Sequence, residues 1–413
     1  MQSLGFTFLW IYLIANLAND WSLRFFGNRA YFSLIAGALL PLLCLASGNL
    51  FKGLKVSTGR WWVLYLVWMV LAVGASTWRG GSFELLSQFV QKNYPIFFYC
   101  TAFVLTVSQM RKLFLVMAVG AAVVVLSCFF FGDASDGRLS IPGSIFFDNS
   151  NDLALQLLIG AVFCLFFVFS KGWIPKILGL ALVGASLIYM LKTGSRANFV
   201  SLSATVVVAF VLFRNKAILA GSVVLVMVLG ALTVPAGQLS RLVDVAFAPT
   251  EEKTMNGNLE SQIERTEMFK YSIRFTLEHP LFGIGPGEFA DQVWYTTKKE
   301  GKPGASLGTH NTYTQTSSEM GIPSLIFYLG TLFTSFGFML RLYKITKNRP
   351  EWREIANLSF CLILILTLYS VSTIFAHLAY SRFMPTLAGM SVALWQAAGR
   401  VIPPPTRRAP VAA

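Results

Sequence analysis

Twelve apolar stretches of near-spanning length leave this chain few ways to fold: 4–19, 31–50, 61–78, 93–108, 113–131, 153–170, 173–191, 197–213, 217–234, 321–340, 355–375 and 383–399. Inside a hydrocarbon layer no water is present to satisfy the backbone, so only helices or closed barrels cross it. About 20 apolar residues per helix cover a ~30 Å core, which is close to the length of these stretches. The charged share is 13%, half the roughly 25% of a soluble domain. The expectation is an all-α polytopic membrane protein with about 12 transmembrane helices. The seventh and eighth stretches are parted only by Lys192-Thr193-Gly194-Ser195-Arg196.

Charge orients the helices. With the N-terminus inside, alternate connectors hold 17 basic residues, from Lys52 and Lys55 to Arg407 and Arg408, against only Glu351 and Glu354. Such Lys/Arg bias marks the cytoplasmic side. Both termini are therefore expected in the cytoplasm of a bacterial inner-membrane protein. The basic excess reports this topology, and no nucleic-acid partner is implied. Cys44, Cys100, Cys128, Cys164 and Cys361 all lie in apolar stretches, so no disulfide is expected. The first stretch lacks a basic n-region and a cleavage site and is expected to be retained.

The same topology places one long polar interruption, residues 235–320, on the periplasmic side. The expected organisation is nine membrane helices in 1–234, this loop, three more helices in 321–399, and a cytoplasmic tail at 400–413. Within the loop, Leu259, Ile263, Phe269, Ile273 and Leu277 recur at mostly four-residue spacing, predicting an amphipathic helix over 258–278. Asn258 can cap it and His279-Pro280 ends it. Gly283-Ile284-Gly285-Pro286-Gly287 follows a helix, not a strand, so it reads as a tight turn rather than a dinucleotide fingerprint.

Chemistry at the periplasmic face cannot draw directly on cytoplasmic nucleotides. A transferase there needs a donor already carried across, most simply on a lipid diphosphate. Arginine suits such a group because its planar fork makes paired, charge-assisted bonds to phosphate oxygens. Arg196, at the outer end of a stretch, is either such a ligand or an arginine snorkelling to the interface. Arg265 lies off the apolar stripe of its helix, where a pairing with a neighbouring glutamate is the plainer use. His310 precedes the tenth stretch. It is either a helix-end histidine satisfied by backbone or a base able to take a proton from an attacking hydroxyl. His377 and Arg382, in the last outer loop, are placed to line a site. His279, before a proline, reads as structural. No cysteine cluster, HExxH or paired carboxylate calls for a metal, and no cofactor is expected.

Several segments together resemble the bacterial O-antigen ligase and O-antigen polymerase superfamily: Thr-Gly-Ser-Arg-Ala at 193–197, Glu-Arg-Thr-Glu-Met-Phe at 264–269, His-Pro-Leu-Phe-Gly-Ile-Gly-Pro-Gly-Glu-Phe at 279–289 and His-Asn-Thr-Tyr-Thr-Gln-Thr-Ser-Ser-Glu-Met-Gly-Ile-Pro-Ser-Leu at 310–325. Gly137-Arg138 through Asn149-Ser150-Asn151-Asp152 looks like a further family segment, with Ser150 where a proline is common. The resemblance implies a metal-independent glycosyltransferase that moves a glycan from undecaprenyl diphosphate to an acceptor hydroxyl, and attack opposite the leaving group is expected to make it inverting. A ligase would use lipid A–core as acceptor, and a polymerase another lipid-linked repeat. The resemblance implies Arg196 and Arg265 as donor diphosphate ligands, His310 as the catalytic residue, and further lining from Arg138 and Asn311. A polysaccharide transporter and a non-catalytic assembly protein are the readings from other classes. The scarcity of charge inside the stretches speaks against the first.

Overall fold

The computed structural model describes residues 1–17, 21, 32–135, 137–144, 147–213, 216, 258–301 and 307–403. All regular elements among these residues are helical, apart from one isolated bridge between Asp133 and Ser140. In chain order the α-helices are α1 (Gln2–Leu17), α2 (Phe32–Ala46), α3 (Ser57–Gly74), α4 (Arg79–Lys92), α5 (Ile96–Phe103), α6 (Val107–Phe131), α7 (Ser150–Val168) and α8 (Trp173–Lys192). They continue with α9 (Arg196–Leu212), α10 (Asn258–Glu278), α11 (Phe289–Lys299), α12 (Thr312–Thr346), α13 (Arg353–Ser372) and α14 (Phe383–Ala398).

Helices α6, α7, α8 and α12, and α13 with the short 3₁₀ turn before it, are long and apolar enough to cross a membrane; α9 and part of α2 are apolar but shorter. Phe129, Ile177, Val211 and Phe333 stand exposed on these helices, as side chains facing lipid would. The span expected at 93–108 is not one helix. Pro95 and the extended backbone at Thr106 confine α5 to 8 residues, roughly 12 Å of rise. Helix α4, in a stretch read as a connector, precedes it. The stretch 217–234 and residues 235–257 of the long loop lie outside the described residues.

Helix α13 sits at the centre, almost wholly buried, against α7, α9, α12 and α14. Side-chain caps fix where several helices start. Thr106 and Gln109 form a capping box on α6. Asn149, Ser195 and Asn311 cap α7, α9 and α12, each satisfying an amide the first turn leaves unpaired. The helix expected over 258–278 is α10, with the predicted ends. Its Met268, Tyr271 and Phe275 form a small separate core with Ile284, Phe289 and Val293.

The glycine-rich turn docks on a break in α12. Gly321 has φ 82° and ψ 170°, which interrupts the helix. Across the gap Ile284 N–H donates to Ser318 O, Gly285 N–H to Glu319 O and Ile322 N–H to Pro280 O, at 2.8–2.9 Å. Positive φ at Gly283, Gly285 and Gly287 lets the turn approach this closely. The buried Glu319 carboxylate accepts from Gly287 N–H at 2.9 Å and from the Tyr380 hydroxyl.

Candidate active site at one end of the bundle

The segments that stand apart in the sequence meet at one end of the bundle. The loop before α7 is fastened to the connector between α8 and α9. Leu139 N–H donates to Lys192 O at 3.0 Å. Arg138 reaches Thr193 O through Nε at 3.1 Å and Asn151 Oδ1 through Nη2 at 2.9 Å. The same Asn151 oxygen accepts from Ser195 Oγ at 2.8 Å, and its carbonyl from Asn198 Nδ2 at 2.8 Å. Asn198 Oδ1 in turn accepts from Ser372 Oγ, at the end of α13, at 2.9 Å. This buried polar chain fixes the start of α9, and with it Arg196.

A second set of bonds joins the start of α12 to the outer loop between α13 and α14. Thr312 N–H donates to Thr373 O at 2.8 Å, and its hydroxyl donates to Ala376 O at 2.6 Å while accepting from Leu378 N–H at 2.9 Å. Gln315 Oε1 accepts from Ala379 N–H at 3.2 Å. The loop is thereby clamped so that the rings of His310 and His377 lie 5.4 Å apart, edge to face. Among the described residues His310 is the one non-glycine with positive φ, at 50°. Such backbone strain collects at functional sites. Thr309 holds the kink, its hydroxyl donating to Asn311 O at 3.1 Å.

Electrostatics tie further residues to His310. Burial, the neighbouring His377 and the charge of Arg265 push its imidazole down to about 4. His310 is therefore neutral near pH 7, with a free ring nitrogen to accept a proton. Burial also lowers His377, opposed by the charge of Asp152 on the first turn of α7. Arg265, exposed on α10, thus acts on the His310 cluster, and Asp152 connects that cluster to the Asn151 chain that sets Arg196. Neither Arg196 nor Arg265 has a hydrogen bond or ion pair among the described residues; the glutamate pairing considered for Arg265 is not among them. The starts of α7, α9 and α12 face this end too, and their dipoles add partial positive charge. Two guanidiniums with no partner among the described residues, three helix N-termini and a neutral imidazole suit an anionic substrate that must give up or accept a group beside a base.

The other expected residues fall as follows. Asn311 spends its side-chain oxygen on the α12 cap, accepting from Tyr313 and Thr314 N–H at 2.9 and 3.1 Å. Arg382 begins α14, and its charge acts on Tyr12 of α1. His279 is exposed at the end of α10. Asp152, Asn151, Asn198 and Glu319 had no assigned role. For Asp152 and Glu319 a signal was available: ionisable side chains inside or at the mouth of apolar helices are costly and rarely idle.

Residues 185–329 match the family described as O-antigen ligase. That range contains the connector carrying Arg196, all of α10, the glycine-rich turn, His310 and the broken start of α12. The chain thus carries a domain of the O-antigen ligase family, consistent with the wider ligase and polymerase superfamily. The family stands for transferases of ligase or polymerase type acting on glycans. No curated protein sequence matches the chain.

Proposed function

We propose that the protein is an inverting, metal-independent glycosyltransferase of the bacterial inner membrane, acting at its periplasmic face. It moves a glycan from undecaprenyl diphosphate to an acceptor hydroxyl, most simply a sugar of lipid A–core, as an O-antigen ligase does. The observation that carries this reading is His310: a strained, neutral imidazole inside the matched segment, beside His377 and in the field of Arg265. The basic connectors at the opposite end support the periplasmic orientation.

In this reaction the acceptor O–H gives its proton to the free ring nitrogen of His310 as its oxygen bonds to the anomeric carbon. The bond from that carbon to the diphosphate oxygen breaks, and the electron pair leaves with undecaprenyl diphosphate. Arg196 and Arg265 neutralise the charge that grows on the leaving group, a contribution larger in the transition state than in the bound donor. Attack opposite the leaving group inverts the anomeric configuration.

The test uses the purified chain in nanodiscs with lipid-linked glycan and lipid A–core. Transfer should fall by roughly 10²–10⁴ in His310→Ala and by about 10²–10³ in Arg265→Ala. Undiminished transfer in both variants overturns the reading. The product separates ligase from polymerase: cells lacking the protein should make lipid A–core without attached polymer. Single attached repeats would instead assign the polymerase reaction.

A further inference from the structure

We infer that the cleft between the α3–α4 turn and helix α11 is a glycan-binding subsite, separate from the His310 cluster. The inference rests on the transferase reading and adds to it a place where the sugar chain is held. The cleft measures ≈ 640 Å³, within the ~300–1,000 Å³ of small-ligand sites. Three large rings line it, Trp78 at the start of α4 and Trp294 and Tyr295 on α11, and they are 61%, 40% and 62% exposed. Trp294 and Tyr295 lie edge to face with centroids 5.1 Å apart.

Polar groups stand among the rings. Asp291 and Gln292 line the same cleft, with Glu288 at its base. The Glu288 residue is only 3% exposed, and its carboxylate accepts from Ser82 Oγ at 3.3 Å. A Cβ on Gly81 would come within 2.7 Å of the Trp78 ring and 2.8 Å of Glu288 Oε1. The glycine therefore keeps ring and carboxylate side by side. That combination fits a pyranose: its C–H faces lie flat on aromatic rings while its equatorial hydroxyls donate to carboxylates and amides at the rim.

Trp and Tyr also gather where proteins meet lipid headgroups. Lys298 Nζ lies over the Trp294 ring, 5.4 Å from its centroid, but the charged side chains lining the cleft itself, Glu288 and Asp291, are acidic. They repel anionic headgroups and suit neutral hydroxyls, which favours a sugar. The position fits as well. Gly287, beside the cleft, bonds Glu319 at 2.9 Å, and Glu319 stands seven residues along α12 from Thr312, roughly 10 Å of rise. A glycan whose first sugar reacts at His310 reaches the cleft with sugars a few units away.

The probe is the lipid-free glycan released by mild acid from the host's polyprenyl diphosphate pool, observed by saturation-transfer NMR on the full chain in nanodiscs. Trp294→Ala and Trp78→Ala should each weaken its binding about tenfold, the scale on which truncating a tryptophan anchor weakens an interface, while Trp294→Tyr restores most of it. In transfer assays Trp294→Ala should raise KM more for long-chain donors than for a single-repeat donor. Unchanged affinity in both alanine variants overturns the subsite. So does strong quenching of Trp78 and Trp294 by lipids brominated on their acyl chains, which would give the rings to the bilayer. If the wild-type protein binds the probe through these rings yet transfers nothing, the subsite stands and the transferase reading falls. If transfer proceeds and both alanine variants bind and turn over like wild type, the subsite alone falls.

Discussion

Gly321 of α12 lies against the backbone of Leu281, so close that a side-chain carbon on the glycine would overlap the Leu281 carbonyl oxygen. The contact is the seam between the motif segments at 279–289 and 310–325, and the domain's outer part hangs on it. At φ 82° and ψ 170° the residue also occupies a region that only glycine tolerates. Gly321→Ala is expected to combine both penalties, about 1–3 kcal/mol for the backbone alone, and to lower the thermal midpoint or prevent recovery of folded protein. Gly337→Ala, in the same helix with nothing within 4 Å of its added carbon, is the control and should be tolerated. Equal midpoints for the two variants would refute the role assigned to the seam.

Trp68 locks the same seam from α3. Its indole Nε1 donates to the carbonyls of Leu281 and Met320, each at 3.0 Å, and its ring stacks on Phe282 with centroids 5.2 Å apart. Trp68→Phe keeps most of the stacking and strips both carbonyls of a donor. The expected cost is about 1–3 kcal/mol. Hydrogen exchange at the amides of Ile284, Gly285 and Ile322 should accelerate, since those amides cross the gap. Unaltered protection there would mean that the backbone bonds hold the seam unaided.

These relationships mark how far the sequence could be read. Helix α10 was legible because Asn258 and His279-Pro280 bracket an apolar repeat of helical period. The turn at 283–287 was legible because three glycines at alternate positions do little else. What the turn docks on was not, because apart from the Glu319 carboxylate its partners on the broken helix are the backbone carbonyls of Ser318 and Glu319, and backbone partners leave no side-chain pattern. Helix α4 was hidden by Gly80 and Gly81, poor helix formers that the fold keeps for the approach of Trp78 and Glu288. The stretch 93–108 passed for a span because apolar content is counted without regard to Pro95. At the site, Arg196, Arg265 and His310 could be singled out by charge, rarity and resemblance. The chain Asn151–Ser195–Asn198–Ser372 could not, since single small polar residues in apolar helices carry no periodicity.

Arg196 and Arg265 should behave unlike Arg138. The Arg138 guanidinium is already committed to Thr193 O and Asn151 Oδ1, so Arg138→Ala should loosen the connector and lower stability as well as turnover. Arg196→Ala and Arg265→Ala should leave the thermal midpoint within about 0.5 kcal/mol of wild type, as for uncoupled surface substitutions. Both should still lower kcat by roughly 10²–10³. Lysine in either place keeps the charge but loses the planar fork and should recover only part of the rate. A midpoint loss in Arg196→Ala as large as that in Arg138→Ala would assign Arg196 to structure instead.

The acid limb of the rate profile tests whether His310 is the base. The proton-accepting form is the neutral one, so activity is lost as pH falls through the His310 pKa. In the free protein that value is about 4, held down by burial, His377 and the Arg265 charge. The profile of kcat/KM, which reports the free protein, should therefore stay flat from neutrality to well below the ordinary histidine range. A bound diphosphate brings negative charge that offsets Arg265 and favours the protonated imidazole. The limb of kcat should then lie at higher pH than that of kcat/KM. Arg265→Gln removes a repelling cation, so in the residual activity of this variant the kcat/KM limb should move upward. His377→Gln should move it the same way, with Asp152 then left without its histidine partner. If neither substitution moves the limb, the proton goes to a group other than His310.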